Sequence, residues 1–179
     1  MLDGVGAVRT GRGEMLVNIQ DMLRAGSVKR WHIVETARAQ TLADHMFNVS
    51  VIATNLGMLL GYDQDMLRRI SVAAMLHDID EVIEGDIPTP TKEKNGINSD
   101  TPLLVRSLPL KAQKLVKLAD LIESYWFIKE FGVGRHAKQV VTNCYDRLYA
   151  YMGKGYNPDT IRMIEREIIN PLTIGEFTI

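Results

Sequence analysis

Four residues in this chain have the types and the spacing to hold one metal ion. Of its four histidines, His32, His45, His77 and His136, two fall on the inner faces of successive helical stretches. Asp78 follows His77 directly, and Asp120 sits at the centre of a later apolar stretch. A ring or carboxylate on an apolar face needs a polar partner. Taken singly, each histidine reads as a satisfied core residue. Taken together, two imidazoles and two carboxylates form a mixed nitrogen and oxygen set that suits Zn²⁺, Co²⁺, Mn²⁺ or Fe²⁺. There is a geometric condition. Neighbouring helical residues project about 100° apart, so His77 and Asp78 reach one ion only at the bundle centre or at a helix end. The Ile79-Asp80-Glu81 turn would provide such an end. Asp44, beside His45, reads as a surface carboxylate outside the set.

These residues must be positioned by helices. Leu42, His45, Met46, Val49, Ala53, Leu56 and Leu60 recur at three and four, which predicts a helix over Thr41 to Leu60. A second helix is expected from Asp63 as N-cap through Met66, Ile70, Ala73 and Ala74, its last turn carrying His77 and Asp78. Pro109 to Phe131 predicts a long helix centred on Asp120, ended by Gly132 and Gly134. Arg135 to Met152 and Pro158 to Ile169 predict two more, with Pro158 in a first turn. Ahead of these, Glu14 to Ala25 spaces Met15, Ile19, Met22 and Leu23 on one face and ends at Gly26. Ser27 to Gln40 lacks periodicity and reads as a connector, although Arg30-Trp31-His32-Ile33 is an odd cluster for a loop. Gly85 to Gly96, with two prolines, reads as a long connector after one further helical turn. No β pattern or repeat is present, so the expected fold is an all-α, single-domain bundle over 14–179 with a flexible lead over 1–13.

Composition narrows the class. The 179 residues are 46% hydrophobic, enough for one core without disulfides. With 21 Lys and Arg against 22 Asp and Glu, there is no basic excess for nucleic acid, and a small charged substrate fits better. The single cysteine, Cys144, excludes an intrachain disulfide and reads as a small buried residue in a reducing compartment. No apolar run approaches the ~18 residues of a membrane span, and the first residues lack the apolar core of a signal peptide. A soluble, cytoplasmic protein is expected.

The pattern His45, His77-Asp78, Asp120 resembles the H…HD…D signature of the HD superfamily of metal-dependent phosphohydrolases. The segment Glu81-Val-Ile-Glu-Gly-Asp86-Ile-Pro-Thr-Pro90 is similar to the E-V-x-x-G-D-x-P-T-P segment of its 5′-deoxynucleotidase branch, and Arg30-Trp31 matches that branch ahead of the first metal histidine. Together these motifs cover Arg30 to Glu123. Two departures, a short span from Pro90 to Asp120 and His at position 32, look more like the compact phage enzymes that hydrolyse dATP in hosts with 2-aminoadenine genomes.

The resemblance implies that His45, His77, Asp78 and Asp120 ligate a divalent ion, Zn²⁺, Co²⁺ or Mn²⁺, with Mg²⁺ accompanying a triphosphate. It implies that Glu81 orients or deprotonates the attacking water, and that Arg30 and Lys92 lie near the substrate phosphate. Trp31 would close against the deoxyribose, Ile33 would line the adenine pocket, and Asp86 would be a further active-site acid. His32 would be peripheral. The expected activity is hydrolysis of dATP to deoxyadenosine and triphosphate. Two alternatives stand: a 5′-deoxynucleotidase acting on monophosphates, and a non-catalytic nucleotide sensor. All four ligands and Glu81 are present, which weighs against the sensor. No membrane or nucleic-acid partner is expected. A homo-oligomer is, because Ser124-Tyr125-Trp126-Phe127 carries more aromatic surface than one inner face can bury and relatives are oligomeric.

Overall fold

The stripe beginning at Leu42 organises the molecule. A computed structural model describes residues 19–96 and 101–170; the lead expected over 1–13 and the start of the first expected helix lie outside them. In chain order the helices are α1 (Ile19–Met22), α2 (Leu42–Leu59), α3 (Gln64–Met75), α4 (Glu81–Glu84), α5 (Thr89–Asn95), α6 (Leu103–Arg106), α7 (Leu110–Phe131), α8 (Gly134–Gly155) and α9 (Pro158–Ile164). A 3₁₀ turn, Leu23–Ser27, continues α1, and a wider π turn, Glu165–Ile169, continues α9. Among the described residues there are only two isolated β-bridges and no sheet, so the fold is the expected all-α single domain.

Local chemistry fixes where the two central helices begin. Thr41 caps α2: its hydroxyl accepts from the Asp44 amide, and the Asp44 carboxylate accepts from the Thr41 amide. Asp44 is therefore a capping group, which explains why it stands outside the metal set. Asp63 caps α3 by accepting from the Met66 amide at 2.8 Å. Helix α2 packs against α3 on one side and α7 on another, and α7 packs against α8. Val49, Ala53 and Leu56 from α2, Ile70 and Ala74 from α3, and Leu115, Leu118 and Ile122 from α7 fill the shared core. At the α7–α8 corner a Cβ on Gly132 would lie 2.5 Å from the Ile128 carbonyl oxygen, so only glycine permits the turn.

Several expectations need correction. Helix α3 ends at Met75, so His77 and Asp78 lie in the turn after it rather than in its last turn. That turn frees the two side chains from the 100° spacing of a helix and lets both face the same point. The Gly85 to Gly96 connector is not unstructured throughout: Pro90 falls near the start of α5, where its missing N–H costs no helical bond. The short α6 had no periodic signal. In the aromatic cluster of α7, Tyr125 and Phe127 are buried, while Trp126 stays 36% exposed with its ring N–H donating to the Ile169 carbonyl at 2.9 Å.

The connector before α2 is held at both ends. Arg30 N–H donates to the Gln40 carbonyl (2.9 Å) and Leu42 N–H to the Val28 carbonyl (2.8 Å), closing its base. Ala37 N–H donates to the Phe131 carbonyl and Val133 N–H to the Glu35 carbonyl, docking its tip on the α7–α8 corner. This docking orders Arg30, Trp31 and Ile33 beside the bundle although the segment has no apolar period.

Candidate metal centre and nucleotide cavity

His45, His77, Asp78 and Asp120 each offer a ligand atom, and these atoms lie within 4.8 Å of one another. His45 comes from the first turn of α2, Asp120 from the middle of α7, and His77 and Asp78 from the turn after α3. The His45 Nε2 atom lies 3.4 Å from Asp120 Oδ1 and 3.5 Å from Asp78 Oδ2, and His77 Nε2 lies 3.2 Å from Asp78 Oδ2. Bonds of about 2.1 Å to a tetrahedral ion would place its ligand atoms about 3.4 Å apart, so these edges fit a Zn²⁺-sized cation.

The outer nitrogens are already committed. His45 Nδ1 lies 2.6 Å from Glu123 Oε2, and His77 Nδ1 lies 2.7 Å from the Ala74 carbonyl, one of the acceptors left open where α3 ends. Both acceptors can only receive, so each Nδ1 carries a proton and each Nε2 is the nitrogen left to take a cation or a second proton. Both Nε2 atoms are buried with no hydrogen-bond partner. Orphaned lone pairs facing two carboxylates are a costly arrangement that one cation relieves. A proton can partly do the same: burial and Arg30 oppose protonation of His45, but Asp120, Asp78 and Glu123 outweigh them and raise it to about 10. Asp120 is held well below the usual carboxylate range; burial opposes ionisation, and Lys117, His45 and His77 favour it. Lys117 Nζ donates to Asp120 Oδ2 at 2.7 Å.

Glu81 opens α4, one turn past His77, and is buried beside the cluster. Burial and the neighbouring Asp78 charge push its carboxyl up to about 7; Lys92 and Arg30 pull it back down only in part. Its Oε1 accepts from Lys92 Nζ at 3.0 Å, while its Oε2 is buried without a hydrogen bond. One oxygen of a carboxyl poised near neutrality is thus free to take a proton. Lys92, expected near the phosphate, is engaged with Glu81 in this state. Arg30 NH1 reaches Asp78 Oδ2 at 3.4 Å and Glu81 Oε2 at 3.9 Å, and its Nε is buried without a partner.

A cavity of about 600 Å³ opens on this cluster, a size that accommodates a nucleoside. Arg30, Trp31, Ile33, Asp86 and Lys92 all line it, with Asp78, Glu81 and Asp120 at its floor. Trp31 adopts φ 59°, a left-handed conformation that costs a bulky residue on the order of 1–3 kcal/mol. It is held there by its indole N–H donating to Gln40 Oε1 at 2.8 Å and by stacking on Phe127, with ring centroids 6.1 Å apart. Ile33 is 53% exposed at the cavity lip, and His32 is exposed outside it. A second cleft of about 410 Å³ shares Asp78, Glu81, Lys92, Lys117 and Asp120 with the first and adds Lys114 and Tyr151.

Sequence reasoning missed several neighbours of the site. Glu123 and Lys117 lie three residues either side of Asp120 on α7, and a carboxylate in the apolar run Leu121-Ile122-Glu123 was a usable signal for the first. Gln40 and the α8 wall of the cavity, which includes His136, Asn143, Cys144 and Arg147, gave none. Cys144, expected to be simply buried, is half-buried and faces the cavity.

The chain is similar to known proteins. A family model described as 5′-deoxynucleotidase YfbR-like matches residues 18–101. The dATP triphosphohydrolase of Cyanophage S-2L is 32% identical over 130 residues, 67% of this chain and 74% of that one. The dATP triphosphohydrolase of Salmonella phage PMBT28 is 31% identical over 158 residues, 78% of this chain and 80% of that one. The 5′-deoxynucleotidase of Citrobacter koseri is 28% identical over 70% of this chain and 64% of that one. Among solved structures, the Cyanophage S-2L HD phosphohydrolase DatZ, bound to dA and one catalytic Zn²⁺ ion, matches with a TM-score of 0.71 and 27% identity, covering 82% of this chain and 91% of that one. No helix among the described residues is long and apolar enough to cross a membrane. The chain belongs to the HD-domain phosphohydrolases, together with the YfbR-like 5′-deoxynucleotidases and the phage dATP triphosphohydrolases.

Proposed function

We propose that this protein hydrolyses dATP to deoxyadenosine and triphosphate, using one divalent transition ion held by His45, His77, Asp78 and Asp120. The observation that carries the reading is the pairing of two orphaned imidazole nitrogens with a free, near-neutral carboxylate oxygen at the floor of a nucleoside-sized cavity. Zn²⁺, Co²⁺ or Mn²⁺ suits the donor set, and Mg²⁺ would accompany the triphosphate. When bound, the ion lowers the pKa of a water and neutralises charge on the phosphoryl oxygens.

The remaining work falls to the protein. Glu81 Oε2 accepts a proton from the water whose oxygen attacks the α-phosphorus. The bond from phosphorus to the 5′-oxygen breaks, and that oxygen takes a proton to leave as the nucleoside hydroxyl. Arg30, already within the ring of carboxylates, has an unpartnered Nε and can offer its planar fork to two α-phosphate oxygens. Trp31 packs where a ribose 2′-hydroxyl would sit, and Ile33 closes the adenine edge against a 2-amino group. Asp86 contributes charge beside Arg30 and Glu81.

The second cleft favours a triphosphate. It continues from the cluster past Lys92, Lys117 and Lys114, with Asp80 and Glu84 also on its walls, so phosphates beyond the first would meet Lys114 and two lysines that here pair with Glu81 and Asp120. A monophosphate would leave that cleft unused. The test is incubation of the metal-loaded protein with dATP and dAMP, separating triphosphate from orthophosphate. Triphosphate from dATP supports the reading. Much faster release of orthophosphate from dAMP would replace it with a 5′-deoxynucleotidase, and binding without turnover of either would favour the sensor.

A further inference from the structure

We infer that Gln40 and Glu123 are positioning residues that tie the wall of the nucleoside cavity to a metal ligand through one directional chain of hydrogen bonds. The inference rests on the proposed reading in which Trp31 abuts the sugar. The chain begins with the Trp31 indole N–H, which donates to Gln40 Oε1 at 2.8 Å. Gln40 Nε2 donates to Glu123 Oε1 at 2.6 Å, and the other carboxylate oxygen lies 2.6 Å from His45 Nδ1. Gln40 is 2% exposed, Glu123 3% and His45 0%. No solvent is at hand to replace a missing partner along the middle of the chain.

The direction of the chain follows from what each group can do. An indole N–H only donates and a carboxylate only accepts. Gln40, between them, has one satisfied orientation: carbonyl toward Trp31 and amide toward Glu123. On the other side, His45 must give its Nδ1 proton to Glu123, which leaves Nε2 as the electron pair for the cation. A single group, the Glu123 carboxylate, therefore settles both the presentation of a metal ligand and the anchoring of the cavity wall. The anchoring matters because Trp31 sits at φ 59°, and the Gln40 backbone carbonyl also holds the preceding Arg30 amide at 2.9 Å. Asn48 Nδ2 donates to Glu123 Oε1 at 3.1 Å as well, and Asn48 is exposed enough to turn its amide over.

This polarity makes a sharp test possible. In Glu123→Gln, the new carbonyl can accept from His45, but the new amide then faces the Gln40 amide. Turning Gln40 over only moves the donor-to-donor conflict to Trp31. In the exchange E123Q/Q40E, the side chain introduced at position 123 accepts from His45 through its carbonyl and donates through its amide to the carboxylate introduced at position 40. The second oxygen of that carboxylate accepts from Trp31, so every group is satisfied again. The full-length chain is read in three ways: Zn²⁺ titration of the metal-free protein, the ¹⁵N-indole resonance of Trp31, and the ratio of dATP to ATP hydrolysis. E123Q is expected to weaken Zn²⁺ about 10- to 100-fold, as loss of an outer partner of a metal histidine does. It should also shift the Trp31 resonance and lower the dATP preference by about tenfold or more. The exchange should restore the resonance and the preference, with Zn²⁺ affinity still below wild type because an amide is a weaker partner for His45.

An E123Q protein with wild-type resonance and preference would overturn the inference, as would an exchange no closer to wild type than E123Q alone. Should E123Q not fold, Gln40→Met cuts the chain at one bond and leaves Glu123 on His45. It should hold Zn²⁺ affinity within about twofold while shifting the resonance and lowering the preference, and an unmoved resonance and preference would equally refute the link. A wild-type protein that does not discriminate dATP from ATP would remove the sugar reading of Trp31; the resonance and Zn²⁺ measurements would still decide whether the chain couples the two ends.

Discussion

Replacing Glu81 by glutamine removes the ability to exchange a proton and, where the carboxyl is ionised, its negative charge toward Lys92 and Arg30. The amide keeps the side-chain volume, and its carbonyl can still accept from Lys92 where Oε1 does at 3.0 Å. Metal content and KM should therefore stay close to wild type. Loss of a general base lowers kcat by about 10²–10⁴-fold, or about 3–5 kcal/mol in the barrier. The same residue makes a stability prediction of definite sign. Burial and Asp78 raise Glu81 from an ordinary 4.5 to about 7 in the metal-free protein. Between those values the native state keeps a proton that the unfolded chain has lost, so this group's contribution to stability falls as pH rises. By pH 8 the penalty is on the order of 3 kcal/mol. The E81Q variant, with no proton to lose at this position, carries none of it. Chelator-treated E81Q should melt several degrees above wild type at pH 8, and the gap should close toward pH 4.5. In the loaded enzyme, wild-type kcat/KM should rise with pH along a limb at or below about 7, since a bound cation favours the ionised carboxyl; the variant should lack that limb. An effect confined to KM would make Glu81 a binding group. Unchanged kcat, or melting curves offset equally at both pH values, would refute the argument.

Asp78→Ala should strip most bound metal and abolish turnover, measured by elemental analysis and phosphate release; retained metal with full activity would contradict the ligand set. Because His45 is raised to about 10 by Asp120, Asp78 and Glu123 against burial and Arg30, its ring carries a proton at pH 7.5 that the ion must displace. Zn²⁺ binding should release protons and tighten as pH rises toward 10, which calorimetry in buffers of different ionisation enthalpy detects. Thr41→Ala removes a cap of α2 and should cost about 1 kcal/mol, lowering the melting temperature by a few degrees without changing KM. Wild type should prefer dATP over ATP, dGTP and 2-amino-dATP; Trp31→Ala should relax the sugar preference and Ile33→Ala the base preference, so equal wild-type rates on all four nucleotides would defeat the specificity assignment.

The sequence by itself determined the helices that carry the site, because their signals are local. The stripe from Leu42 to Leu56, the cap at Asp63 and the break at Gly132 each depend on residues within a turn or two of one another. The H, HD, D pattern and the segment from Glu81 to Pro90 were legible for the same reason: the turn after α3 delivers His77, Asp78 and Glu81 as one local unit. Only the tertiary structure decided what surrounds them. The segment 28–40 has no period, and its order comes from hydrogen bonds to Phe131 and Val133, far along the chain. Lys92 lies on Glu81 and Lys117 on Asp120 because α5 and α7 pack where they do. Gln40 and Glu123, 83 residues apart, meet only because α2 and α7 bury their facing sides together. Burial removes the water that would otherwise satisfy each of them, and that is why a bond no sequence pattern announces becomes obligatory once the helices close.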